Sequence, residues 1–157
     1  MMAKTQRAHP SKLEDHIGFW MRLISNSVSH GFAQKLEASG VTVAEWVILR
    51  EMYDNHNETS PSTVAELTGL TRGAVSKLIT RLLEKEFVTR KEFVGDRRYQ
   101  EIKLTSSAIK LVPKLAQVAD QNDEEYFSSL SKAERHELLV ILKKLAKQHQ
   151  IKIRPIE

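Results

Sequence analysis

Thr63-Val64-Ala65-Glu66-Leu67-Thr68-Gly69-Leu70-Thr71-Arg72-Gly73-Ala74-Val75-Ser76 is the stretch that decides the fold. Two helices that cross near a right angle over a short turn need a small residue at the crossing. They also need a glycine in the turn and a branched aliphatic on the second helix. Ala65, Gly69 and Val75 supply these, and Val64, Leu67, Leu70 and Leu78 complete a small core. Pro61-Ser62-Thr63 opens the first of the two helices, with Ser62 or Thr63 as its cap. Thr71 caps the second, which is expected to run to about Glu86. A plain helical hairpin packs in the same way, so function has to be argued from the surroundings.

Downstream the pattern changes from helical to extended. Phe87 to Glu92 and Tyr99 to Leu104 have strand composition, with Ile102 and Leu104 on one face. Phe93-Val94-Gly95-Asp96 joins them into a hairpin, a wing placed directly after the helix pair. Phe93 and Val94 are expected to pack on the wing base or under Leu83. Upstream, Thr42-Val43-Ala44-Glu45 is a capping box that opens a helix with Trp46, Ile48, Leu49 and Met52 as its apolar residues. Asp54 to Ser60 reads as a polar loop.

The ends are helical. From Lys12 to Leu36 the apolar residues Leu13, Ile17, Trp20, Ile24, Val28 and Phe32 recur at helical spacing over about six turns. Thr105 caps a second long helix, in which Pro113 kinks the chain or removes one hydrogen bond. Ser131-Lys132-Ala133-Glu134 opens a last helix with Leu138, Ile141, Leu142 and Leu145. End helices this long reach out to a partner chain or cross between lobes. The fold class is therefore mainly α with a small β-hairpin. Residues 41–104 form a winged helix-turn-helix lobe and residues 11–40 with 105–157 a helical dimerisation region; residues 1–10 form a flexible N-terminus.

The 157 residues are 41% hydrophobic, enough for a real core, and their 6 glycines and 4 prolines are too few for an all-β protein. Absence of cysteine excludes disulfides, thiolate metal sites and thiol redox sensing, and suits a cytoplasmic location. The first ten residues lack the apolar stretch of a signal peptide, and the longest aliphatic run, Leu138 to Leu142, is far too short for a membrane span. Net charge is +4. Between Thr71 and Gln100 eight cations face four anions, so this stretch carries the whole excess. Clustered cations attract polyanions and release counterions on binding.

At about 100° per residue, Ala74, Val75, Leu78, Ile79 and Leu82 share one side of the second helix of the pair. Gly73, Ser76, Lys77, Thr80 and Glu84 share the other, with Arg72 and Arg81 on the flanks. A helix in the major groove turns its polar face to base edges, while flanking arginines reach phosphates. Gly73 permits close backbone approach, and Lys77 is a candidate donor to guanine. In the wing, Arg97 and Arg98 are candidates for the minor groove, with Asp96 orienting a neighbouring arginine. The expected DNA-facing set is thus Thr71, Arg72, Gly73, Ser76, Lys77, Thr80, Arg81, Asp96, Arg97 and Arg98.

Val43-Ala44-Glu45-Trp46, Thr63 to Leu70, Thr71 to Ser76, and Asp96-Arg97-Arg98 before Leu104-Thr105 together resemble the MarR family of bacterial transcription regulators. The resemblance spans nearly the whole chain. It implies a triangular homodimer in which Leu13 to Leu36 and Ser106 to His149 interlock, and two winged lobes that read a palindromic operator on double-stranded DNA. It implies repression as the default, and release by a small aromatic or phenolic effector bound between the dimer helices and the winged lobe. His16, Trp20, Trp46 and Arg50 are the candidate effector residues, each equally readable as core or surface. The six histidines are scattered, so no metal site is expected, and no cofactor is implied. There is no nucleophile elbow, phosphate-binding glycine loop or His-Glu pair at metal spacing, which argues against an enzyme. The alternative is a winged-helix module that binds protein, against which the basic helix face speaks.

Overall fold

A computed structural model describes residues 9–93 and 95–157, with residues 96–99 described by their backbone alone. A 3-10 turn (Leu13–Asp15) precedes α1 (Ile17–Glu37) and α2 (Val43–Asp54). Next come β1 (Glu58–Thr59), α3 (Pro61–Thr68), α4 (Arg72–Glu84), β2 (Val88–Phe93) and β3 (Asp96–Leu104). Two long helices, α5 (Ser106–Tyr126) and α6 (Lys132–Gln148), follow. The fold is mainly helical, with a three-stranded antiparallel sheet in the order β1-β3-β2.

Local chemistry accounts for most boundaries. The Thr42 hydroxyl accepts from Glu45 N at 3.2 Å, and the Glu45 carboxylate accepts from Thr42 N at 3.0 Å, closing the expected capping box. Ser131 and Glu134 repeat the arrangement at α6, and Thr71 and Thr105 cap α4 and α5. Pro113 is exposed and α5 runs through it.

Four expectations need correction. The first helix does not start at Lys12: His16 is extended, and helix proper starts at Ile17. Lys12 N is taken by Asp15 Oδ2 and Glu14 O accepts from the Trp20 indole, so side chains hold this segment in a separate turn. The cap of α3 is Ser60, whose Oγ accepts from Thr63 N; Pro61 then takes the first helical position, where its missing N–H costs nothing. The polar loop contains a strand, Glu58↔Lys103 and Thr59↔Ile102. The helix of the recognition pair stops at Glu84 rather than Glu86, because Glu86 adopts a left-handed φ of 59°.

The core joins all the layers of the winged lobe. Ile48, Leu49 and Met52 of α2 meet Val64 of α3 and Val75, Leu78, Ile79 and Leu82 of α4. Val88, Ile102 and Leu104 close it from the sheet, and Ala108 and Val112 of α5 complete it. Leu36, Val41 and Leu115 form a smaller cluster where α1 meets α5. Nearby, the buried Asn122 of α5 accepts from Lys35 Nζ of α1 at 3.2 Å.

The end helices are only half covered. Along α6, Leu138, Leu139, Val140, Ile141, Leu142 and Leu145 are all 37–49% exposed. Leu13, Ile17, Trp20, Met21, Leu23 and Ile24 near the start of the chain are at least 42% exposed. Single exposed aliphatics are ordinary; two continuous rows of them are not.

Candidate nucleic-acid interface

Helix α4 sits on the body by one face. Val75, Leu78, Ile79 and Leu82 are buried, whereas Arg72, Gly73, Ser76, Lys77, Thr80 and Arg81 are exposed. Gly69 makes the turn possible: it ends α3 in the left-handed region (φ 69°), where a side chain is strained. Thr71, exposed, then accepts from Ala74 N at 3.3 Å. The result is a helix N-terminus, with its free N–H groups and positive dipole end, standing proud of the body. A Cβ on Gly73 would meet nothing within 4 Å. No packing among the described residues therefore explains why this position lacks a side chain.

Beside α4 lies a groove of about 660 Å³ that runs from α3 across α4 to the base of the hairpin. Ser62, Arg72, Ser76, Arg90 and Gln100 present polar groups to it, with one acidic residue, Glu66. The sequence offered Ser62 only as a cap and gave Arg90 and Gln100 no place at the interface. The hairpin register, which sets the side chains of β2 and β3 that look toward α4, was the signal for Arg90 and Gln100.

Arg81 stands apart from the other flanking cation. Its Nε lies 3.9 Å from Glu45 Oε1, so it leans toward the body. Glu45 is fully buried and fully partnered. Besides Thr42 N it accepts from Lys85 Nζ at 2.8 and 3.0 Å, and the same ammonium donates to Gly40 O at 2.8 Å. Lys85 is the C-cap of α4. The far end of α4 is thus tied to the start of α2 and to the turn leading out of α1. This fixes the helix in rotation as well as in place.

The wing is a hairpin with pairs running from Val88↔Leu104 to Glu92↔Gln100, then Phe93↔Asp96. The jump at Glu92/Phe93 leaves extra residues on β3, an irregularity of the kind that re-aims side chains. The backbone of Asp96, Arg97 and Arg98 runs through it; their side chains lie outside the described residues, as does Val94. Phe93 does not pack on the wing base or under Leu83: it is 49% exposed, with Lys91 Nζ 5.6 Å from its ring centre. At the wing root Lys103 bridges Glu58 and Glu101 at 3.1 Å each. The hydrogen bonds it donates to these carboxylates, that to Glu58 first, raise its pKa above the ordinary lysine value.

The four effector candidates occupy different surroundings. His16 is exposed and pairs with Ser11 Oγ. Trp20 is half exposed, its ring edge-on to Phe19. Trp46 is partly buried against Phe32, at 6.2 Å between ring centres, where the two core clusters meet. Arg50 pairs with Asp54 and lies over Tyr53. A cavity of about 240 Å³ between α1 and α5 is lined by Val28, Phe32, Ala119, Asp120, Asn122 and Asp123, and by none of the four. Among the described residues no three potential ligands cluster as a metal site, and no helix is long and apolar enough to cross a membrane.

Comparison with known proteins agrees with this geometry. Residues 39–98, from the turn before α2 into the wing, match the model of the MarR family. The chain is 26% identical over 133 residues to a candidate transcriptional regulatory protein for the hcr operon of Thauera aromatica, covering 84% of this chain and 80% of that one. Its fold matches the organohalide-sensing regulator RdhR-CbdbA1625 in its 2,4-dichlorophenol-bound form, with a TM-score of 0.76 at 18% identity over 94% and 89% of the two chains. It also matches a mutant MarR from E. coli complexed with operator DNA, with a TM-score of 0.71 at 19% identity over 87% and 99%. Residues 39–98 are thus similar to the MarR family of transcription regulators, and the fold is a MarR-like winged helix-turn-helix.

Proposed function

We propose that this protein is a MarR-type transcription regulator and not an enzyme, and that it binds a palindromic operator as a homodimer and represses transcription, letting go when a small aromatic or phenolic molecule binds. The observation that carries the dimer is the pair of uncovered apolar rows on α1 and α6. Burying one leucine-sized side chain is worth about 1.5–3 kcal/mol, so rows of this length are costly to leave in water. A second copy covers both at once if the two chains interlock through residues 11–40 and 105–157.

In that dimer, two-fold symmetry sets the α4 helices about 34 Å apart, one turn of DNA. Gly73, Ser76, Lys77 and Thr80 then face base edges in the major groove. Thr71, Arg72 and Arg81 serve phosphates, Arg81 at the cost of loosening its approach to Glu45. Arg97 and Arg98 enter the flanking minor groove with Asp96 orienting them. Arg90 and Ser62 add phosphate contacts along the groove. Support for an effector comes from the neighbour solved with 2,4-dichlorophenol; Trp46, close to the joint between the helical region and the winged lobe, is the first residue to examine, with His16, Trp20 and Arg50 next. A DNA target places the protein in the cytoplasm.

The test is selection of bound fragments from the source organism's genome, followed by titration of salt on the tightest one. A dimer in solution that retains inverted-repeat fragments with a steep negative salt slope supports the proposal. A monomer, or no retention at low salt, overturns it.

A further inference from the structure

The segment after α6 does not trail into solvent. Gln150 takes a left-handed φ of 52°, and Ile151 N donates to Ala146 O at 3.0 Å, so the helix ends in a defined reversal. Three residues later the chain is pinned to the helix-turn-helix. Arg154 N donates to Leu67 O at 2.7 Å, satisfying one of the orphan carbonyls at the end of α3. Arg154 Nε donates to Glu51 Oε1 on α2 at 2.8 Å. Ile153 lies over the turn glycine: its Cδ1 is 3.5 Å from where a Cβ on Gly69 would stand. These contacts touch α2, the end of α3 and the turn immediately before Thr71.

We propose that Ile151–Glu157 is a strap that sets the orientation of the helix-turn-helix on the dimer helices, with Arg154 as its positioning residue. The winged lobe is joined to the helical region through the turn between α1 and α2 and through Thr105, and Ala108 and Val112 of α5 pack into its core. None of these links involves α6. The strap adds one from α6 to α2, the end of α3 and the turn before α4. Gln150 and Ile153 are three Cα steps apart, a reach of at most about 11 Å, so the end of α6 and the turn cannot separate beyond it while the strap stays docked. In a dimer the angle of each lobe decides the spacing of the two α4 helices. The strap therefore acts on the spacing of half-sites that the protein accepts, by ordering the lobes before DNA arrives. Its backbone link and its ion pair through Nε both end on the body, which is what a positioning role requires.

The inference rests on the dimeric, operator-binding reading above, and the unaltered protein serves as control for it. The probe is the shortest genomic fragment that the unaltered dimer retains, made also with one or two base pairs added or removed between its half-sites. Three variants are compared: deletion of residues 151–157, Arg154→Gln, and the swap Glu51→Arg with Arg154→Glu. The deletion is expected to stay folded and dimeric, to bind the native spacing about tenfold more weakly, and to lose much of its preference over altered spacings. Arg154→Gln should show a smaller loss in the same direction, and the swap should recover most of it. The salt slope should not change in any of them, because no phosphate contact is removed. Unchanged affinity and spacing preference in both the deletion and Arg154→Gln overturn the proposal. So does a shallower salt slope with no recovery in the swap, which makes Arg154 a phosphate contact. If the deletion fails to fold, Arg154→Gln and the swap decide. Failure of the unaltered protein to dimerise or bind overturns the operator reading instead.

Discussion

Lys85→Met isolates the tie between the recognition helix and the body. The substitution keeps the aliphatic stem and removes the ammonium that lies 2.8 Å from a carboxylate with no exposure to water. Glu45 then keeps Thr42 N at 3.0 Å, and Arg81 3.9 Å away. Stripping one partner from a buried ion pair costs about 3–5 kcal/mol. Two features lower that figure here: Lys85 is itself about one-third exposed, so water enters where its head group stood, and Arg81 can close on Glu45. A loss of about 2–3 kcal/mol is expected, or roughly 4–12 °C in Tm for a chain of this size. The assay is urea and thermal unfolding at one protomer concentration, for Lys85→Met, Glu45→Gln and the double variant. The double variant should be more stable than the sum of the two losses implies, since a neutral amide in place of the carboxylate no longer needs an ammonium. The loss should persist at high salt, because a buried pair is poorly screened. A loss below about 0.5 kcal/mol, or simple additivity, refutes the claim that this pair holds α4, because an exposed pair behaves that way.

Gly73→Ala should leave the fold as stable or up to about 1 kcal/mol more so, since alanine suits a helix better and the site is empty; operator affinity should nonetheless fall, and unchanged binding by mobility shift would show that no partner backbone comes close there. Lys77→Ala should relax preference at one operator position by about 1–3 kcal/mol, read by binding to a set of single-substituted operators; a uniform loss marks a phosphate contact instead. Arg98→Ala should weaken operator binding about tenfold or more while gel filtration still gives the dimer; unaltered affinity would take Arg98 out of the interface. Asp123→Asn tests a pH effect. Burial, and then the neighbouring Asp120, raise the Asp123 pKa, so its ionised form opposes folding. The variant should melt higher than the unaltered protein near neutral pH, and the difference should vanish as pH falls below the ordinary aspartate range, where both are neutral.

How much of this was legible beforehand varies with the distance over which a residue acts. Every helix was readable, because period and caps are set within one turn: Thr42 with Glu45, Ser131 with Glu134, Thr71 and Thr105 each work over three residues. The exposed face of α4 was readable for the same reason. Errors fell where two local signals competed. Ser60, Ser62 and Thr63 are all acceptable caps, and only the position of Pro61 in the helix settles the choice. At the start of α1 apolar spacing runs on through His16, but side-chain hydrogen bonds interrupt the helix.

By itself, then, the sequence determined the order of elements, the helix-turn-helix with its glycine turn, and the residues α4 turns outward, since each depends on neighbours a few positions away. Only the tertiary structure decided that Glu58–Thr59 becomes a third strand, since two residues carry no period. It also decided that Glu45 meets Lys85 from 40 positions away and that Arg154 returns to Leu67 and Glu51. Charges at such separations have many possible partners in sequence. Folding selects one by bringing a buried carboxylate, an orphan carbonyl and a cation into reach, where the penalty for an unpaired group is largest.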